Sequence, residues 1–125
     1  MIESGTICVS LTPFYNVGSG KYDFKKRPVL IIGTADFGDY NVLPISRITK
    51  SSNMDSDYDI QVDPSIYPNL KLSTLSYIRV HKQTVVNKAT LNEISNLKSE
   101  YPILYNLILD KLEEYNTTMI SYARE

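Results

Sequence analysis

Lys26-Arg27-Pro28-Val29-Leu30-Ile31-Ile32-Gly33 is the stretch on which the fold turns. Its apolar run is unbroken, which predicts a strand covered on both faces. Pro28 suits the start of such a strand, because proline has no N–H to give to a ladder. Upstream, residues 5–12 alternate, with Ile7, Val9 and Leu11 on one face and Thr6, Cys8 and Ser10 on the other. That period predicts a half-buried strand. Between the two, the glycine- and charge-rich stretch from Pro13 to about Lys26 predicts a loop. A loop this long in a compact domain is commonly functional.

Downstream, Phe37-Gly38-Asp39 reads as a turn, and strand character resumes from Tyr40 to Ile48 around Pro44. Residues 51–57 are a polar connection, Tyr58 to Val62 a short edge strand, and Asp63-Pro64 and Tyr67-Pro68 mark a further turn. Leu75 to Val80 and Thr84 to Val86 give one long strand or two short ones. From Thr90 the period changes. Thr90 with Glu93 resembles a capping box, and Leu91, Ile94 and Leu97 share one helical face. Pro102 starts a second helix carrying Leu104, Leu107, Ile108, Leu112 and Tyr115 at helical spacing. Strands followed by helices predict an α+β architecture with a partly closed barrel. The expected organisation is a single domain over 1–125, with a barrel at about 5–86 and a helical part at about 90–120.

A chain of 125 residues and 42% hydrophobic content suits one globular core and excludes a disordered class. No apolar run is long enough to span a bilayer, and the acidic start MIESGTICVSLTP does not read as a signal peptide. The single cysteine, Cys8, excludes an internal disulfide and fits a reducing cytoplasm. With only one histidine beside it, a structural zinc site is not expected. Net charge is −1, so bulk charge does not announce a nucleic-acid binder. The distribution is bipolar instead. Lys21, Lys25, Lys26 and Arg27 cluster, with Arg47 and Lys50 adding to them if the strands converge, against Asp55, Asp57, Asp59 and Asp63 in one stretch.

Four stretches, in order, resemble the MazF/PemK toxins. Gly5-Thr6-Ile7-Cys8-Val9-Ser10-Leu11-Thr12-Pro13 looks like the first strand of that family, and Lys26-Arg27-Pro28-Val29-Leu30-Ile31-Ile32 like its arginine-proline element. Asn41-Val42-Leu43-Pro44-Ile45-Ser46 is similar to the element with proline two residues before threonine or serine. Arg79-Val80-His81-Lys82-Gln83-Thr84-Val85-Val86-Asn87-Lys88 resembles the arginine-bearing strand before the C-terminal helix. The resemblance spans residues 5 to about 91. It implies an SH3-like small β-barrel of the CcdB/MazF type, a cytoplasmic homodimer, and metal-independent cleavage of single-stranded RNA without a cofactor. It also implies an antitoxin whose extended tail occupies the RNA groove. Because the same barrel serves gyrase-poisoning toxins, a non-catalytic module acting on a protein such as DNA gyrase is the alternative.

RNA carries its own nucleophile, the 2′-hydroxyl. An enzyme then has to supply a base for that hydroxyl, positive charge for the phosphoryl oxygens and an acid for the leaving 5′-oxygen. Arg27 corresponds to the family arginine and is the candidate for charge stabilisation, since a guanidinium meets a phosphate bidentately. Outside the motif it would read as a strand-end arginine in a surface ion pair. Ser46 matches the family's threonine or serine and is a candidate hydrogen-bond donor to phosphate. Arg79 and His81 stand where plasmid-borne relatives carry an arginine and an acid assigned as base. Two residues apart on a strand they would face the same way, and a histidine titrates near neutrality. Equally, His81 reads as an exposed strand histidine. The family's glutamate-glutamine pair in the first loop is absent from NVGSGKYDFKK, so no acid is carried over from there. Lys21, Tyr22, Lys25 and Lys26 are candidate RNA contacts, lysines for phosphates and tyrosine for stacking, or a solvated loop.

Overall fold

The computed structural model describes residues 1–125, the Thr12 side chain apart. Seven strands form one antiparallel, strongly curled sheet: β1 (Thr6–Asn16), β2 (Lys21–Thr34), β3 (Asp39–Ser46), β4 (Asp59–Val62), β5 (Ser76–Arg79), β6 (Thr84–Asn87) and β7 (Leu91–Asn96). Their order is β4-β5-β3-β2-β1-β7, with β6 also on β3. A single turn, α1 (Leu97–Glu100), leads into the long helix α2 (Pro102–Arg124). The expected α+β small barrel is therefore what the chain forms, as a half-barrel with a C-terminal helix.

The apolar run of β2 is covered on both sides, as its lack of alternation predicts. Leu30 joins a core with Ile7, Leu43, Ile45, Ile78 and Val80 that α2 closes with Leu104, Ile108 and Leu112. Val29 and Ile31 face the other way, into a second cluster with Cys8, Tyr40 and Val42. Ile2, Val86 and Leu91 pack on that cluster, and Tyr40 Oη accepts the N–H of Ile2 at 3.0 Å. Pro44 is tolerated mid-strand because β3 changes neighbours there. Its residues up to Val42 pair with β6, and those from Ile45 pair with β5.

Two expectations are corrected. The stretch 13–26 is not a loop: β1 and β2 run on as a hairpin to Asn16↔Lys21. Asn16 closes the turn, its Oδ1 accepting the N–H groups of Gly18 and Ser19 while its carbonyl takes that of Gly20. Beyond Ser10 on β1 and before Val29 on β2, these strands pair only with each other, so the hairpin stands out as a two-stranded arm.

The second correction concerns residues 90–96, expected to be helical. Thr90 ends a 3-10 turn, its hydroxyl donating to the Asn87 carbonyl at 2.8 Å, and β7 then pairs with the free edge of β1. Leu91 and Ile94 at a spacing of three share a face on a helix but take opposite faces on a strand. Both faces of this sheet are buried, so the strand satisfies both residues: Leu91 packs on one cluster and Ile94 on the other. A bulge at the Ile7–Cys8 step absorbs the extra residue. The helical part consequently begins at Leu97, and the Pro102 helix follows as expected.

Gly5 is the joint of this arrangement. Its N–H donates to the Ile31 carbonyl and its carbonyl accepts from Leu97, both at 2.8 Å, tying β2 to the start of α1. Its φ is +91°, and a Cβ placed there would collide with Lys98 Cβ. Gly5→Ala should cost about 2–4 kcal/mol of folding stability, read from urea unfolding; an unchanged midpoint would contradict this role. Burial, with the Glu93 charge adding, raises the Cys8 thiol to about 11 from 9.0. A raised acid pKa stabilises the fold below the unfolded value, and that contribution fades as pH climbs from 9.0 towards 11. Iodoacetamide at pH 8.5 should leave native Cys8 unlabelled and label it fully in urea, as peptide mass will report.

Candidate active site

The ladder between β2 and β3 ends at Val29↔Pro44. Past that pair the strands separate, and an open cleft of about 480 Å³ lies between Lys25–Pro28 on one wall and Ile45–Arg47 on the other. Arg27 and Ser46 both line it, as do Lys25, Lys26 and Arg47. Four of its lining residues are cationic and, among the described residues, none is acidic. Arg47 thus joins the basic cluster as the sequence allowed, while Lys50 is not part of the lining. Ser10, buried, stands opposite Arg27 on β1.

Along the arm, alternation puts Lys21 and Lys25 on the face of Arg27, with Tyr22 and Lys26 on the other. Lys25 Nζ sits 4.6 Å over the Phe14 ring, a cation–π contact, and Tyr22 meets Tyr15 edge-on at 5.4 Å. Lys25 and Lys26 reach the cleft; Lys21 and Tyr22 lie at the far end of the arm.

Arg79 and His81 do not line the cleft. Ser46 pairs with Tyr77, so Arg79, two residues on, shares that sheet face at a diagonal position. Its guanidinium turns towards β4 instead. Nε donates to Asp59 Oδ1 at 3.0 Å, and one terminal nitrogen donates to Asp59 Oδ2 at 3.4 Å and to the Asn53 carbonyl at 3.1 Å. The expectation that His81 follows Arg79 along one strand is corrected, because β5 stops at Arg79 and His81 lies in a 3-10 turn over Val80–Lys82. Strand alternation therefore does not relate the two; a third residue does. His81 Nδ1 lies 3.9 Å from Asp59 Oδ1, the oxygen that Arg79 Nε also approaches. The imidazole lies beside the Tyr58–Tyr115 pair, at centroid distances of 6.5 Å from Tyr58 and 6.3 Å from Tyr115 of α2.

Asp59 is the residue that sequence reasoning missed. In the chain it is one of four acids in a polar stretch, and alternation with Gln61 would leave it outside. In the fold its carboxylate is fully buried, and Oδ2 also takes the Asp55 N–H at 2.8 Å. Its neighbours behave differently. Asp55 accepts the N–H groups of Asp57 and Tyr58, and the Asp57 bond leads in holding its carboxyl below the usual carboxylate range, with His81 and Arg79 adding charge. Asp63 is lowered by the N–H and hydroxyl of Ser65. Both are turn-forming aspartates.

A family model described as PemK-like, MazF-like toxin of type II toxin-antitoxin system matches residues 7–103. No curated protein matches the chain. The matched span takes in all seven strands but for Thr6, both walls of the cationic cleft and the Asp59–Arg79–His81 cluster. The chain belongs to the PemK-like, MazF-like family of type II toxin–antitoxin toxins.

Proposed function

We propose that this toxin is an endoribonuclease that cleaves single-stranded RNA without a metal ion or cofactor, acting in the cytoplasm as a homodimer and neutralised by a cognate antitoxin. The observation that carries the reading is the cleft lined by both Arg27 and Ser46, where Arg27 is one of four cationic residues. On a chain of net charge −1, so local a concentration of positive charge points to an anionic ligand.

In this mechanism a phosphodiester enters the cleft with its non-bridging oxygens towards Arg27. The 2′-oxygen attacks phosphorus as its proton leaves, the bond to the 5′-oxygen breaks, and the products are a 2′,3′-cyclic phosphate and a 5′-hydroxyl. Charge grows on the phosphoryl oxygens in the transition state, where Arg27 stabilises it and the Ser46 hydroxyl donates to one oxygen. Lys25, Lys26 and Arg47 hold the flanking phosphates, while Lys21 and Tyr22 meet the strand further along the arm. Arg79 at the end of β5 and His81 in the 3-10 turn after it lie outside the cleft lining, and in this reading the bound RNA reaches them, with His81 as the proton acceptor.

A DNA of the same sequence lacks the nucleophile and should stay intact while the RNA is cut in the presence of chelator. Arg27 is exposed and outside both apolar clusters, so Arg27→Ala should keep the wild-type melting temperature. Its cleavage rate should fall by roughly 100-fold or more. A folded Arg27→Ala protein that cuts at the wild-type rate would end the assignment.

A further inference from the structure

His81 Nδ1 is buried and has no hydrogen-bond partner. Orphaned buried polar atoms are uncommon in native proteins and call for a physical reason. A fully buried carboxylate, Asp59, faces His81 Nδ1 at 3.9 Å, beyond hydrogen-bond reach. The carboxylate is itself fixed from two sides, by Arg79 and by the Asp55 N–H. The ring is held by Tyr58 and Tyr115, which pack on each other edge-to-face at 5.1 Å. Catalytic hydrogen bonds are often long in an unliganded protein and tighten when substrate binds.

We infer that Asp59 is the positioning residue of an Asp59–His81 dyad, which holds the imidazole with its proton on Nδ1 and leaves Nε2 as the atom that takes the proton of the RNA 2′-hydroxyl. The inference rests on the ribonuclease reading for its chemistry but not for its geometry. An ionised carboxylate only accepts hydrogen bonds, so the nitrogen facing it must carry the proton. The other nitrogen is then an acceptor. As the 2′-O–H bond breaks and the 2′-O–P bond forms, the proton moves to Nε2, and the imidazolium that results faces the Asp59 charge. The bond from phosphorus to the 5′-oxygen breaks, and that oxygen takes a proton from water. Arg79 shares Asp59 Oδ1 with the dyad, so one carboxylate orients both side chains. The groups around His81 are Asp59 from β4, Arg79 from β5, Tyr58, Tyr115 from α2, and Asp55, whose carboxyl His81 helps to hold low.

Ring ¹⁵N shifts of the wild-type protein read the tautomer directly and need neither a variant nor activity. Neutral His81 should carry its proton on Nδ1; an Nε2–H tautomer would overturn the dyad. In Asp59→Asn the amide can donate to Nδ1 and drive the proton to Nε2. That variant should lose roughly 100-fold or more in kcat with KM within about twofold, the pattern of a wrong tautomer rather than lost binding. Wild-type kcat in folded Asp59→Asn, with Arg27→Ala inactive, would reject the dyad and leave the ribonuclease reading intact. Wild-type protein that cuts no RNA would instead remove the ribonuclease reading, while the tautomer still reports on Asp59. Should Asp59→Asn not fold, the wild-type tautomer and the kcat of His81→Gln decide, and unchanged kcat in His81→Gln would sink the inference.

Discussion

Covering Val29, Leu30 and Ile31 from both sides is the constraint that shapes this protein. Consecutive residues of a strand point to opposite faces, so an unbroken apolar run has to be covered by two separate layers. The chain supplies α2 on one side and the N-terminal segment with Val86 and Leu91 on the other. At about 1.5–3 kcal/mol for each buried aliphatic side chain, these three residues contribute on the order of the whole net stability of a small domain. The course of the remaining elements follows. β6 and β7 lie where they do because the second face must be closed, and the Gly5 joint ties α1 to β2 so that α2 can close the first.

The candidate site begins where that constraint ends. Within two residues β2 passes from Val29, buried and laddered to Pro44, to Arg27, exposed and facing an open cleft. Loss of the β3 ladder opens the cleft, and the rigid, doubly covered segment next to it fixes the direction of its walls. The second pair of candidate residues is fixed by a different device, a buried carboxylate that no apolar pattern would indicate.

How far the sequence could be read depended on whether a signal was local. The Pro28–Gly33 strand, the edge strand before Val62 and the Pro102 helix were legible because each announces itself in its own period or breaker. The arm was hidden by its composition: glycine and charge read as loop, though Asn16 and Gly20 were building a hairpin turn. β7 was hidden by geometry, since a spacing of three fits a helix with one buried face and equally a strand with two. Arg27 and Ser46 were reached through ordered resemblance, and the fold gives them a common cleft. The Asp59 cluster was illegible, because Arg79 and His81 stand 20 and more residues from it and meet it only in the finished fold.

The arm has a consequence beyond its own two strands. Between its turn and the body, both outer edges present unpaired backbone groups, an open invitation for another copy's strand to add on. Tyr15, Tyr22 and Phe24 are exposed on one of its faces and would reward such an addition. Lysine on a bare sheet edge opposes it, since stacking like copies would bring equal charges together. Lys21, Lys25 and Lys26, all exposed on the arm, are placed to oppose such stacking, so the charge of this hairpin guards its open edges independently of any ligand.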